Sequence, residues 1–250
     1  MFGVTNVLAL LHNEVEEGKL STGCRSFDKM LNGGFDYGKI TEVYGHSGAG
    51  KTQLILQLAV NAAVQGHFAV IVDTERKLST NRINKMITSN SLHHSIMDRI
   101  LIRICRTKAD LMATLNLLSA LVCRKENIKV IMIDSFAHHM RCYTEDTKVR
   151  FNLPGMLYSM LEILNRLANN HNIAIILTNQ GATARLEDGS SKLIPALGEA
   201  WRHAPPTRIW LKNPNLQNEG CIRRAVIVKS SRCGQISANF KILESGIADV

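Results

Sequence analysis

The sequence predicts an α/β fold: a mostly parallel twisted sheet with helices on both faces and antiparallel strands at its C-terminal end. Three observations lead there. Short β-branched runs alternate with helix-length segments over most of the chain, which is the pattern of parallel strands joined by crossover helices. The apolar run ITEVYG leads into GHSGAGKT at 45–52 and then into QLILQLAVNAAV, so a glycine-rich loop joins a buried strand to a helix. The last three strand candidates follow one another through turn signals alone, at Asn213-Pro214-Asn215, Glu219-Gly220 and Cys233-Gly234.

Taken in order, strands are expected at 40–44, 68–73, 100–104, 129–134, 173–178, 208–211, 223–229 and 235–242. Helices are expected at 52–64, 81–88 and 108–124, with a long one near 157–170. No internal repeat, low-complexity tract or interdomain linker interrupts the pattern, so one domain is expected. At 250 residues, 45% of them apolar, the chain is long enough to bury one substantial core. The six cysteines are scattered with no C-x-x-C pair, which argues against a metal cluster and for free thiols in a reducing compartment. His93-His94 and His138-His139 read as loop residues and not as metal ligands. The apolar opening MFGVTNVLALLHNEVEEG is too short to span a bilayer, and no other stretch approaches a span, so a soluble intracellular protein is expected. The formal charge is +9, and from Gly189 onward nine Lys and Arg face four Asp and Glu. That excess suits a polyanion such as nucleic acid, or a solvated basic face.

The loop carries the most specific chemistry. Gly45, Gly50, Lys51 and Thr52 meet the pattern G-x-x-x-x-G-K-[ST]. Backbone N–H groups of Gly45, His46, Ser47, Gly48, Ala49 and Gly50 are expected to curl around phosphate oxygens, with the following helix adding its positive N-terminal dipole. Lys51 is then placed for the β- and γ-phosphates, and the Thr52 hydroxyl for Mg²⁺. Val130-Ile131-Met132-Ile133-Asp134 is an apolar strand ending in an acid, which suits Asp134 to the same metal. Glu75, just after a strand, and Gln180, at the end of another, are expected on the same sheet edge. A carboxylate there can serve as general base and an amide can report the γ-phosphate, although such residues also serve as plain turn formers.

The segments GKITEVYGHSGAGKTQLILQLAV, IVDTE, VIMIDS, LANNHNIAIILTNQ and IPALGEAWRHA, in that order, resemble the RecA-type ATPase core of the eukaryotic and archaeal recombinases. The resemblance runs from about residue 20 to the C-terminus, and IPALGEAWRHA with Val228-Lys229-Ser230 is most similar to the paralogue lettered C, of which the spindle-D type is a relative. It implies a RecA-type P-loop fold that binds ATP and Mg²⁺. It further implies DNA-dependent ATPase activity in homologous recombination, double-strand-break repair and meiotic recombination, in the nucleus. Implied partners are single- and double-stranded DNA, other recombinase paralogues and the main recombinase. By the same resemblance Glu75 activates the attacking water, Gln53 follows the loop in the ATP site, and Arg82 packs by the adenine. Gln180 and His203 sense the nucleotide state. Two DNA-binding loops correspond to 136–151, with Arg141, Lys148 and Arg150, and to 181–196, with Arg185 and Lys192. Their cations suit phosphate contacts, and neither has a row of aromatics for base stacking.

The chain also departs from that family. Arg76 stands where a glycine or small polar residue is usual, so that a cation there either meets phosphate or disturbs the water site. Lys229 stands in place of an acidic cap, either reaching a partner's triphosphate or lying as an ordinary exposed strand lysine. Residues 1–20 are too few for the family's helical front domain and form a short N-terminal segment ahead of a core at 21–250. Val7, Leu8, Leu11 and Val15 there trace one face of a helix that packs on its own core or docks a partner. These features leave an alternative open, a recombination mediator that holds ATP as a structural clamp in a paralogue complex and hydrolyses it weakly or not at all. A small-molecule kinase is disfavoured by the lack of an arginine-bearing lid.

Overall fold

The computed structural model describes residues 18–125, 127–141, 147–185, 189–213, 222–232 and 234–250; for Arg141, 147–152 and 199–200 it describes the backbone alone. The expected N-terminal amphipathic helix lies outside the described residues. Lys19–Leu20 (β1) and Phe35–Asp36 (β2) form a small antiparallel pair around the helix Arg25–Met30 (α1), none of which the sequence patterns announce. Then follow Ile40–Gly45 (β3), Lys51–Val64 (α2), Phe68–Asp73 (β4), Thr80–Ser89 (α3), Ile100–Ile104 (β5), Lys108–Arg124 (α4) and Ile128–Asp134 (β6). The chain continues through His138–Arg141 (α5), Thr147–His171 (α6), Ala174–Arg185 (β7), Ser191–Pro195 (β8) and Gly198–Arg202 (α7). Thr207–Lys212 (β9), Ile222–Lys229 (β10), Ser237–Leu243 (β11) and Gly246–Ala248 (β12) complete it.

The main sheet runs β12-β11-β10-β9-β3-β7-β6-β4-β5, with β8 paired to β7 off this path. From β9 to β5 every pairing is parallel, and from β9 to β12 every pairing is antiparallel. The fold class is the expected one, with a difference in detail: β9, expected among the antiparallel strands, lies parallel to β3. The central strands are apolar at nearly every position because both faces are covered. Val43, Ile71, Met132 and Ile176 share a core with Leu54, Ile55 and Leu58 of α2. Their odd-even neighbours Val72, Ile133, Ile175 and Leu177 share the other core with Leu111 and Leu115 of α4 and Leu157, Met160 and Leu164 of α6.

Caps explain where two helices begin. The Ser79 side chain accepts from Arg82 N at α3, and Thr107 accepts from Asp110 N at α4. Several expectations are corrected. Helix α6 starts at Thr147, about ten residues earlier than expected, and runs through Pro154 and Gly155. Both are helix breakers by propensity, and burial of Leu157, Met160 and Leu164 on the sheet overrides them. The segment 136–151 is therefore partly helical, with α5 and the first turn of α6 inside it. The segment 181–196 is a β-hairpin and not an irregular loop, because β7 continues past its buried part and pairs with β8. Gly181 permits this: a Cβ there would lie 2.6 Å from the Leu193 side chain that packs across it. His138 and His139 sit on α5 and not in a loop, and the buried His139 ring places Nε2 3.0 Å from the Cys105 carbonyl.

Candidate nucleotide site

Parallel register gathers the site. Gly45 at the end of β3 pairs with Gln180 of β7, Asp73 at the end of β4 pairs with Asp134 of β6, and Ile133 pairs with Leu177. Polar strand ends that are far apart in sequence thus meet on the carboxyl edge of the sheet, where open α/β folds place ligands. A cavity of about 700 Å³ opens there, lined by Gly45, His46, Ser47, Gly48, Gly50, Lys51, Thr52, Gln53, Glu75, Lys77, Arg82, Asp134, Gln180, Gly181, Arg223, Ile242, Leu243 and Glu244. Of the expected loop residues Ala49 is the exception, since its side chain turns into the core.

The loop ends in Gly50 at φ 103, a left-handed conformation that caps α2, and a Cβ there would meet Ile242 Cδ1 at 2.9 Å. Lys51 Nζ donates to the carbonyls of Gly45 at 2.8 Å and His46 at 2.9 Å, which lays the ammonium along the loop. Burial pushes its pKa down, only partly opposed by Asp134 and Glu75. Thr52 Oγ1 donates to Asp134 Oδ2 at 2.7 Å, and Thr178 Oγ1 donates to Oδ1 at 2.5 Å. Burial nevertheless outweighs these donors and raises the Asp134 pKa. A hydroxyl and a carboxylate side by side, beside a lysine and a glycine loop, are the oxygen donors that Mg²⁺ and a triphosphate require, so the residues present fit both groups.

Glu75 stands on a turn built by Asp73, whose carboxylate accepts from the N–H groups of Glu75, Arg76 and Leu78 at 3.1, 2.7 and 3.2 Å. Gln180 Nε2 donates to Glu75 Oε1 at 3.0 Å, and Lys77 Nζ meets Oε2 at 2.5 Å. Burial alone would raise the Glu75 pKa, but Lys77 and Gln180, with Ser135, together more than offset it, and the net shift is downward. Arg76 adopts φ 57, the left-handed region that a glycine would enter freely, and its exposed side chain does not line the cavity. The cation that meets Glu75 is therefore Lys77.

Other expected residues fall in different places. Arg82 lines the cavity, where its guanidinium donates to Gln53 Oε1 at 2.7 Å and to the carbonyls of Leu243 and Glu244 at 2.6 Å each. It thereby ties the β11–β12 turn to the rim. His203 is exposed and away from the cavity lining, and its carbonyl accepts from Lys229 Nζ at 2.8 Å. Lys229 also donates to the Pro205 carbonyl at 2.7 Å, so it is half-buried and held within its own chain, unlike a plain exposed strand lysine. Arg185 and Lys192 are exposed near the end of the β7–β8 hairpin, and the pairing of Arg185 with Ser191 and of Ala184 with Lys192 puts them on opposite faces. Arg141, Lys148 and Arg150 lie on α5 and α6, and their side chains lie outside the described residues.

Sequence reasoning missed Asp73 as turn builder, Thr178 as partner of Asp134, and Lys77. It also missed Arg223, which lines the cavity and whose Nε donates to the Gly48 carbonyl at 3.3 Å. Behind the site lies a buried polar cluster that it did not foresee either. Glu42, fully buried in β3, accepts from Asn179 Nδ2 and Trp201 Nε1 at 2.6 Å each and forms an ion pair with Arg208. A charged residue inside an apolar strand was the available signal.

A model of the Rad51 family matches residues 15–250. The chain belongs to the Rad51 family. Among its relatives is the DNA repair protein RAD51 homolog 3 of Cricetulus griseus, 30% identical over 97% of this chain and 71% of that protein. The protein of the same name from Dictyostelium discoideum is 27% identical over 99% of this chain and 70% of its own length. The DNA repair and recombination protein RadB of Archaeoglobus fulgidus is 30% identical over 84% of this chain and 88% of its own. Similarity at this level to both eukaryotic and archaeal members places the chain in the RecA/Rad51 type, as the motif order implied.

Proposed function

We propose that this protein is a DNA-dependent ATPase of the recombinase-paralogue type, acting in homologous recombination, double-strand-break repair and meiotic recombination in the nucleus. The observation that carries the reading is the Gln180–Glu75 hydrogen bond. It joins the candidate water-activating carboxylate to the strand that continues directly into the hairpin, with Arg185 five residues after Gln180. A nucleotide that displaces Gln180 acts directly on that hairpin, which is the coupling a DNA-dependent ATPase needs.

In this reading the loop N–H groups and Lys51 bind the triphosphate, Arg223 braces the loop at Gly48, and Gln53 and Arg82 order the rim. Thr52 and Asp134 hold Mg²⁺, which offsets phosphate charge when bound. Glu75 orients and deprotonates the attacking water. Arg185 and Lys192, with Arg141, Lys148 and Arg150, meet single- or double-stranded DNA through phosphates. Residues 21–250, with Lys19–Leu20 paired to them as β1, form the ATPase core, and the part of 1–20 before β1 is a docking segment for other paralogues or the main recombinase, while His203 relays the nucleotide state from beyond the hairpin. The relatives' names support the repair and recombination setting.

A second reading, ATP held as a clamp in a paralogue complex, is favoured by one observation: Glu75 is engaged by Lys77. Purified protein assayed for ATP binding and for ATP turnover with and without DNA, alone and with a paralogue partner, separates the two. Binding without turnover in any state refutes the ATPase reading, and unchanged ATP binding by Lys51→Ala refutes the assignment of the cavity itself.

A further inference from the structure

Both oxygens of Glu75 are engaged. Oε1 accepts from Gln180 and Oε2 is ion-paired with Lys77 at 2.5 Å. Each oxygen keeps a second lone pair for a water proton, but an ammonium paired with the carboxylate weakens it as a base, so release of a donor strengthens Glu75. The two donors are held very differently. Gln180 sits on β7, in register with Gly45 of the loop strand. Lys77 sits in the turn between β4 and α3, its side chain 67% exposed on a flexible stem, whereas Glu75 is 11% exposed. Lys77 is therefore the donor that moves.

The turn itself delivers Lys77 to the cavity. Asp73 gathers the N–H groups of residues 75, 76 and 78, and Arg76 takes the left-handed conformation. That reversal leaves Arg76 exposed and puts Lys77 on the cavity wall with Lys51 and Asp134. The two ammonium groups are close enough that Lys77 contributes to lowering the Lys51 pKa, while Asp134 and Asp73 act with Glu75 to raise that of Lys77. An anion entering the cavity thus meets two lysines beside its arginines, and one of the two is on loan to the general base.

We propose that Lys77 is a nucleotide-responsive brake: it restrains Glu75 in the empty site, and the terminal phosphate of ATP competes with Glu75 for its ammonium. Lys77 is a positioning residue acting through Glu75. The proposal rests on reading the cavity as an ATP site, and it gives that site a regulatory element that sets its turnover. It also assigns tighter holding of ATP than of ADP to this side chain, because ADP lacks the competing phosphate.

The test uses the full chain as wild type, Lys77→Met and Lys77→Arg. Fluorescent ATP and ADP analogues report affinity, and DNA-stimulated turnover is followed across pH. Lys77→Met is expected to raise kcat about threefold to fivefold, the scale of one exposed ion pair, and to reduce the preference for ATP over ADP by a similar factor. The acid limb of its kcat/KM profile, which reports the free enzyme, moves to higher pH, because Glu75 loses the hydrogen bond that holds its pKa down. Lys77→Arg keeps the restraint. A Lys77→Met protein with unchanged kcat and unchanged ATP preference overturns the proposal, as does one whose kcat falls or one that binds ATP and turns none over. Failure of the wild type to bind ATP instead removes the nucleotide site beneath it, a distinct outcome read in the binding arm.

Discussion

Replacing Glu42 by Gln keeps the shape of the side chain and removes its charge at a position with no solvent exposure. The wild-type carboxylate receives three donors, from Asn179, Trp201 and Arg208. In Glu42→Gln the amide oxygen still accepts two of them, but the amide NH₂ faces the third, donor against donor. Arg208, 5% exposed, loses its counter-charge and keeps, among the described residues, the carbonyls of Trp201 and Arg202 at 3.2 and 3.0 Å. Removing one member of a buried pair costs about 3–5 kcal/mol, and the two remaining carbonyls point to the lower end. For a domain of this size about 1 kcal/mol shifts Tm by roughly 2–4 °C, so a fall of about 6–12 °C is expected. Thermal and urea unfolding measure it, and a cycle with Arg208→Met isolates the pair, which should couple by more than about 1 kcal/mol. A Glu42→Gln protein within about 1 kcal/mol of wild type would refute the reasoning, because the cluster would then carry no net charge–charge stabilisation.

Other perturbations test neighbouring parts of the argument. Asp134→Asn removes a carboxylate whose pKa burial has raised, and should stabilise the nucleotide-free protein by about 0.5–2 kcal/mol while abolishing its Mg²⁺-dependent stabilisation by ATP. The ionised Asp134 is the disfavoured form in the fold, so this gain is present above the raised pKa and disappears as pH falls below the unfolded value of about 3.9; melting curves at several pH values check the sign. Arg76→Gly releases a left-handed backbone from its Cβ, and should change stability by less than about 1 kcal/mol, since the strain relieved and the added freedom of the unfolded chain oppose each other. A loss of several kcal/mol on chemical denaturation would show that the Arg76 side chain makes a structural contact. Gly181→Ala sets a methyl 2.6 Å from Leu193 and should displace the hairpin at a cost of about 1–3 kcal/mol. Weakened DNA binding with ATP affinity retained, read by titration of each ligand, is the expected result.

How much was legible beforehand depended on the span of the signal. Gly45 to Thr52 announce their loop in eight consecutive residues, because the strand before it, the glycines and the helix after it are all local. Asp134 and Gln180 were readable for a similar reason: an apolar run that ends in a polar residue marks a strand end, and parallel strands share one edge. Helix α4 was placed at its observed limits by its apolar pattern, whereas α6 defied Pro154 because burial of its later turns outweighed local propensity. The resemblance implies a loop at 181–196, and the strand pairing there was not legible because it is set by β7 and not by the segment's own pattern.

By itself, then, the sequence determined the α/β class, the phosphate loop and the strand ends that carry Glu75, Asp134 and Gln180, since each is written in one short window. Tertiary structure decided which of those groups touch. Glu42 meets Arg208 across 166 residues, and Asp134 meets Thr52 across 82, only because β3 lies between β7 and β9 and β6 lies between β7 and β4. It also decided that Lys77, and not Arg76, engages Glu75. Two adjacent cations are equivalent in a linear reading, and a left-handed turn held by Asp73 sends one into solvent and the other onto the base.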